Sequence, residues 1–433
     1  MILPDDILRR LLHARSAAEY VVDLLVFRDL AQDADVWTKR CFDDFGIVDG
    51  DVAAYRRGTE FRKILNAPPR GTPFKILKIW ATIKKSLSPE ITDTFRKGIA
   101  QPPRQQESPF PLGMENERML YETVWRVLDG QLMNPREEYR GLFGGFLFYG
   151  VTTTTVFLLP RGECIRETRR YRPFLQSMMP DCPDAVVFAK SHNRNEVRNG
   201  SKVYILTGQD NFSVWCSMQM IGHQGPPRKM GDSLVGWLEE YARRLETGIY
   251  REDLILPSRF SSKGLSLFPK CGPLCCRAVT NQVEVCASSI YIGPQIGWTY
   301  SVRLRLLPGP LQQCQLDSRA WAISVEGFPY EFVHGKGLIG KFPILVQGGW
   351  ILNSESDPRQ EYDHEVDGSL TEGLFIEGPF VYQSCSRQRG GAERGSFQGV
   401  LYFVPGTRKN PTGPPFEVTV APFPLEPHGR YWY

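Results

Sequence analysis

The sequence predicts three successive units: a small all-α unit, an α+β domain and an all-β sandwich. Three observations carry that reading. Apolar residues at helical spacing open the chain, strand-like and helix-like runs mix in its middle, and beyond Gln282 the hydrophobic period changes to two. At 433 residues the chain exceeds what one ordinary core organises, so two or three domains of ~100–200 residues each are expected. A hydrophobic content of 42% with 23% charged residues excludes a wholly disordered or fibrous chain. The net charge of +4 is too small over this length to imply nucleic acid or an anionic membrane as a partner.

The first unit is acidic. Residues 1–50 hold ten Asp/Glu against six Lys/Arg, and Leu3, Ile7, Leu8, Leu11 and Leu12 recur at helical spacing behind Pro4. Residues 21–27 and 31–41 add two short helical runs. Residues 51–100 reverse the sign, with eleven Lys/Arg against four Asp/Glu, around a helix whose stripe of Phe74, Leu77, Trp80 and Ile83 packs inward. Its basic face lacks the interleaved aromatic residues that stack on bases, so it reads as a solvated surface. Residues 100–111, proline-rich and polar, form a linker.

The middle of the chain mixes element types. A helix is expected near 121–128, strands at 145–151, 185–189 and 202–206, and a strong helix over 234–245. In that helix Leu234, Trp237, Leu238, Tyr241 and Leu245 share one face, Asp232 and Ser233 mark its start and Gly248 its stop. Further on, residues 298–306 alternate without a fault, which predicts a strand with one buried face and one in water. Strands at 316–325, 399–404 and 416–420 follow, separated by Gly/Pro-rich turns, and together they describe an antiparallel β-sandwich. The charge-free run 141–160 is long enough to span a bilayer, but its glycines and four threonines fit strands and turns, so no membrane span is expected.

No catalytic constellation emerges. Gly335-Lys336-Gly337-Leu338-Ile339-Gly340 matches a dinucleotide-binding fingerprint, yet no strand-turn-helix unit surrounds it and tight turns between strands are the better reading. Cys271, Cys275, Cys276 and Cys286 lie close together without the paired spacing of a zinc knuckle, and the six histidines are dispersed. The remaining cysteines are scattered, and no secretory apolar segment precedes the acidic start, so reduced thiols in the cytoplasm or nucleus are expected. No metal, nucleotide or other cofactor is expected. Residues 353–372 carry Glu355, Asp357, Glu361, Asp363, Glu365, Asp367 and Glu372 against Arg359 alone, and read as a solvated acidic loop.

Three motif sets then line up in order. Leu3-Pro4-Asp5-Asp6-Ile7-Leu8 and Asp33-Ala34-Asp35-Val36-Trp37-Thr38-Lys39-Arg40-Cys41 resemble the opening and close of an F-box, with Val26-Phe27-Arg28-Asp29 standing where the usual central V-C-(K/R)-x-(W/F) phrase would be. Trp125-Arg126-Val127-Leu128-Asp129-Gly130-Gln131, Gly141-Leu142-Phe143-Gly144 and the Trp237 helix resemble a SUKH (Smi/Knr-type) domain. Cys314-Gln315-Leu316-Asp317-Ser318-Arg319-Ala320-Trp321, the glycine motif at 335–340, Tyr382-Gln383-Ser384-Cys385 and the closing strand 416–423 resemble an ApaG domain, with an insertion between Gly349 and Phe380.

The resemblance divides the chain into an F-box-like helical unit over 1–50, a connecting helix and linker over 51–111, a SUKH-like α+β domain over 112–262 and an ApaG domain over 277–433. It implies a fibronectin-III-like fold for the sandwich, with Arg319 and Trp321 as framework. It further implies a non-catalytic substrate receptor of an SCF-type ubiquitin ligase, binding the Skp adaptor and through it the cullin scaffold. Leu3, Pro4, Ile7, Leu8, Leu11 and Trp37 are the adaptor contacts by position in the motif, an apolar helix face seeking a groove, although Trp37 equally suits the unit's own core. Target proteins would bind the SUKH-like and ApaG parts. The alternative is an interaction scaffold with no ubiquitin-ligase role.

Overall fold

The computed structural model describes residues 72–97, 128–132, 139–148, 152–153, 155–182, 185–191, 201–206, 213–220, 223–224, 227–255, 263–293, 297–338, 340–351, 373, 375–386 and 394–427. The F-box-like stretch with Leu3, Pro4, Ile7, Leu8, Leu11 and Trp37, the linker at 100–111, the run 121–127 and the acidic segment 353–372 lie outside the described residues. What is described is mostly antiparallel sheet, with few helices.

The chain enters through α1 (Thr72–Ser86), α2 (Pro89–Thr92) and β1 (Phe95–Lys97), followed by β2 (Leu128–Gln131), β3 (Leu147–Phe148), β4 (Thr152–Thr153) and β5 (Val156–Leu158). Then come α3 (Arg161–Met178), β6 (Val186–Ser191), β7 (Ser201–Leu206), β8 (Val214–Met220), β9 (His223–Gln224), β10 (Arg228–Gly231) and α4 (Leu234–Glu246). Strands β5 to β10 form a six-stranded sheet in the order β10-β8-β7-β6-β5, with β9 paired to β8. α3 packs on β6, and α1 packs on α4 through buried Trp80 and Ile83, so the basic helix is built into the middle unit. β1 pairs with β2 and holds α2 to the same body.

α4 follows its sequence signals closely. The Ser233 hydroxyl accepts from the Gly236 N–H, and Gly248 lies beyond the C-cap at φ +71°, a conformation that costs glycine little. The helix buries Trp237 among Phe143, Phe188, Tyr204 and Tyr241, with ring centroids 5.0 Å, 5.8 Å and 5.1 Å from the first three. Tyr241 also donates to the Leu142 carbonyl. α3 begins where the Asp129 carboxylate accepts the Arg161 N–H at 2.9 Å, an anion at a helix N-terminus. Burial raises the Asp129 carboxyl above its usual value against the pull of that bond and of Arg96. Along α3 the buried positions are Arg161, Cys164, Glu167, Thr168, Tyr171 and Leu175, and Glu167 pairs with Lys190 of β6 at 3.1 Å.

The hairpin β11 (Arg251–Leu254) with β12 (Lys263–Ser266) leads into the sandwich. One sheet runs β13 (Cys275–Thr280), β14 (Val283–Gly293), β15 (Gly297–Leu306) and β21 (Phe380–Ser386). The other contains β16 (Gln313–Val325), β17 (Glu331–Lys336), β18 (Ile344–Val346), β19 (Gly349–Ile351), β20 (Phe375–Glu377), then, after β21 (Phe380–Ser386), β22 (Gly395–Pro405) and β23 (Phe416–Leu425). Its order is β20-β19-β18-β16-β22-β23, with β17 also on β16. Between the sheets Tyr300, Trp321 and Phe423 pack on Phe397 at 4.6 Å, 5.1 Å and 5.0 Å, which places Trp321 in the framework as expected. β13 and β14 turn through Asn281 and Gln282 at φ 47° and 66°, the two left-handed residues of a tight hairpin.

One expectation is corrected. β15 does alternate, but most of its second face is not in water: Thr299, Ser301 and Arg303 are as buried as Trp298, Val302 and Leu304, and only Arg305 on that face is exposed. On this face Arg303 donates to the Pro269 carbonyl at 3.1 Å and to the Ser288 hydroxyl at 2.8 Å, and Thr299 donates to the Ser384 carbonyl at 2.8 Å. Alternation distinguishes two faces, and here the polar one is satisfied by hydrogen bonds instead of by solvent. The apolar core accordingly runs without interruption from Ile79 to Leu425.

Candidate functional site

The glycine motif makes turns, as its context implied. Gly337 and Gly340 take φ +56° and +68°, Leu338 and Lys341 exchange backbone hydrogen bonds, and a Cβ on Gly337 would lie 2.5 Å from the Lys341 carbonyl oxygen. Arg319 closes the same corner by donating to the carbonyls of Gly337 at 2.5 Å and Lys336 at 3.2 Å. Among the described residues no helix follows to offer its N-terminus to a phosphate.

The cysteine cluster is split by strand alternation. Cys276 faces the sandwich interior opposite Ala287, and burial pushes its thiol up to about 11. Cys275 and Arg277 of β13, Glu284, Cys286 and Ser288 of β14, and Ser301, Arg303 and Arg305 of β15 share the other face, in the registers Arg277↔Cys286↔Arg303 and Cys275↔Ser288↔Ser301. Among the described residues no group of three or more His, Cys, Asp or Glu is placed to hold a metal.

That face forms one wall of a cleft of about 570 Å³, closed on the other side by Arg251, Glu252 and Asp253 of β11 and by Lys270 to Gly272. Lys270 pairs with Asp253, yet burial, helped by Arg303, lowers its ammonium to about 8. Glu284 is held by Arg305 at 2.7 Å and Arg277 at 3.6 Å. Arg303 donates to the Cys286 and Pro269 carbonyls and to the Ser288 hydroxyl, while its Nη1 is buried without a hydrogen-bond partner. The Sγ atoms of Cys275 and Cys286 lie 3.3 Å apart. With Cys275 as donor its hydrogen bond lowers the Cys286 thiol, an effect reinforced by Arg303, Lys270 and Arg277, and Cys275 is raised in turn. The arrangement sets the two sulfurs among the cations Lys270, Arg277, Arg303 and Arg305. The sequence offered these cysteines as metal ligands or, in preference, as buried or incidental thiols, and the signal for the pair was the spacing of Cys275 and Cys286 on two strands joined by a two-residue turn.

A second feature is an exposed aromatic group at the β16–β17 hairpin. Phe328, Tyr330 and Phe332 are exposed, Phe332 by 69%, and the Tyr330 and Phe332 rings stack at 6.2 Å. β17 pairs with β16 on one side and with no strand on its other side among the described residues. At the far edge of the same sheet β19 and β20 pair, so the acidic segment connects two neighbouring strands and Phe375 is exposed at its foot.

No family model matches the chain. It is 29% identical over 450 residues to F-box protein SKIP16 of Arabidopsis thaliana, a match covering 92% of this chain and 90% of that one. It is 33% identical over 161 residues to F-box only protein 3 of Homo sapiens, covering 35% of this chain and 30% of that protein. A solved ApaA protein from Bordetella pertussis aligns with 36% of this chain and 99% of its own at 18% identity and a TM-score of 0.22, too low to bear on the argument. The chain is thus similar along nearly its whole length to one F-box protein and over about a third of it to another, and both names agree with the group its sequence motifs resemble.

Proposed function

We propose that this chain is a target-recognition subunit of an SCF-type ubiquitin ligase. It engages the Skp adaptor, and through it the cullin scaffold, by the helical unit at 1–50, with Leu3, Pro4, Ile7, Leu8, Leu11 and Trp37 as contacts. The observation that carries the reading is the similarity to F-box protein SKIP16 over 92% of this chain. The chain has no catalytic part of its own in this reading. It brings a protein target to a ligase and works in the cytoplasm or nucleus.

Targets bind through the SUKH-like unit at 112–262 and the ApaG sandwich at 277–433. On the sandwich the β16–β17 hairpin supports this role, because Phe328, Tyr330 and Phe332 form an exposed aromatic group on an edge strand. Aromatic residues on rigid scaffolds are frequent anchors of protein contacts. Affinity capture of the full chain from cells tests the reading. Skp adaptor, cullin and a set of further proteins are expected together; further proteins without Skp and cullin would favour the scaffold alternative.

A further inference from the structure

We propose that Cys286 and Cys275 form a hydroperoxide-reactive dithiol in the cleft between the middle unit and the sandwich, with Cys286 as attacking thiolate and Cys275 as resolving thiol. The proposal does not depend on the ligase reading. It rests on three observations that meet at one place. The two sulfurs are neighbours on one face of a hairpin, 3.3 Å apart, and need to close by only about 1.2 Å to reach a bonded S–S distance. They border a cleft of about 570 Å³, in which a small peroxide fits. Their surroundings are cationic: Lys270, Arg277, Arg303 and Arg305 flank them against Asp253 and Glu284, and Arg303 keeps an unused, buried N–H donor.

Chemistry decides between the readings this pair allows. A metal held by two thiolates would meet the positive charges of Arg303 and Lys270, whereas a thiolate and a departing oxyanion are both favoured by them. The lowered Cys286 thiol agrees with that preference, and the inward-facing Cys276 and Cys314, both raised by burial, lack it.

The steps balance as follows. Cys286 as thiolate attacks one peroxide oxygen; the S–O bond forms, the O–O bond breaks, and the departing alkoxide or hydroxide takes a proton from the cleft or solvent. Two electrons pass from sulfur to the peroxide, and Cys286 becomes a sulfenic acid. The Cys275 sulfur then attacks Cys286; the S–S bond forms, the S–O bond breaks, and hydroxide leaves with the proton given up by Cys275 as water. Two thiols and one hydroperoxide give one disulfide, one alcohol or water, and one water.

The test uses the reduced full chain, freed of reductant and treated with one equivalent of hydrogen peroxide. Free thiols are then blocked with N-ethylmaleimide and the protein is digested with trypsin. Cleavage after Lys270, Arg277 and Arg303 puts Cys275 and Cys286 on separate peptides, 271–277 and 278–303. The expected result is that these two peptides joined are the first major oxidation product, reversed by dithiothreitol. In Cys275→Ala the expected product is instead a dimedone-trapped sulfenic acid on Cys286. Oxidation that spreads evenly over the half-buried Cys182 and Cys385, or a link that persists in Cys275→Ala, would overturn the proposal. Should that variant fold poorly, the wild type decides alone: Cys286 is expected to be alkylated by iodoacetamide at least tenfold faster at pH 7 than Cys182 or Cys385, and equal rates would refute it.

Discussion

Gln131 is a buried amide whose hydrogen bonds tie four pieces of the middle unit together. Its Nε2 donates to the Thr94 hydroxyl at 2.8 Å and the Arg140 carbonyl at 2.9 Å, and its Oε1 accepts from the N–H groups of Leu142 and Leu158. Replacing it by Leu would strand those groups in a dry interior, so Gln131→Leu is expected to lower unfolding free energy by about 3 kcal/mol in a denaturant titration. A loss below about 0.5 kcal/mol would show that water replaces the amide. Its identity was plain in the sequence but its role was not, because Thr94 lies 37 positions away. Lys270 offers a pH test. Folding holds its ammonium near 8, below the ordinary ~10.4 of the unfolded chain. Between those values the unfolded state binds the extra proton, so this lysine's contribution raises stability as pH increases from about 8 to 10 and is fully unfavourable below 8. The stability of wild type relative to Lys270→Met is therefore expected to rise across that window, by on the order of 3 kcal/mol. A flat difference would show that the ammonium is not desolvated.

At the scale of elements, legibility followed the cleanness of the hydrophobic pattern. α4 and the strands β6, β7, β16, β22 and β23 were readable because their apolar positions keep one period and their caps and turns agree with it. α3 escaped notice: its inward stripe includes Glu167 and Thr168, which are buried through Lys190 and the Val187 N–H, and Pro173 interrupts it. Polar residues that find partners inside are invisible to a periodicity argument. The same reason hid the burial of Arg303, and with it the cleft. The acidic insertion belongs to this scale too. If residues 353–372 steer basic target surfaces, replacing them by a neutral Gly/Ser linker of equal length should remove only those co-purifying proteins whose capture weakens with salt. An unchanged partner set at 50 and 300 mM salt would leave the loop a solubility element.

For the whole molecule, order along the chain carried more than any single site. The α+β unit and the sandwich were legible as separate patterns, but their continuous core was not, since it is closed by residues far apart in sequence, such as Phe146 and Phe268. No helix among the described residues is long and apolar enough to cross a membrane. The motifs at 3–8 and 33–41 identify the unit proposed to meet the adaptor, and the resemblance of the chain to F-box protein SKIP16 extends that reading over nearly its full length. Adaptor binding is the central claim. The most direct measurement is the affinity of the purified full chain for purified Skp adaptor, compared between wild type and Leu8→Asp, which would place a charge in an apolar contact. The account expects specific binding by the wild type and a loss of about 3 kcal/mol, roughly a hundredfold in Kd, in the variant with its thermal melting unchanged. A wild-type chain that fails to bind the adaptor, or a variant that binds as tightly, would contradict it.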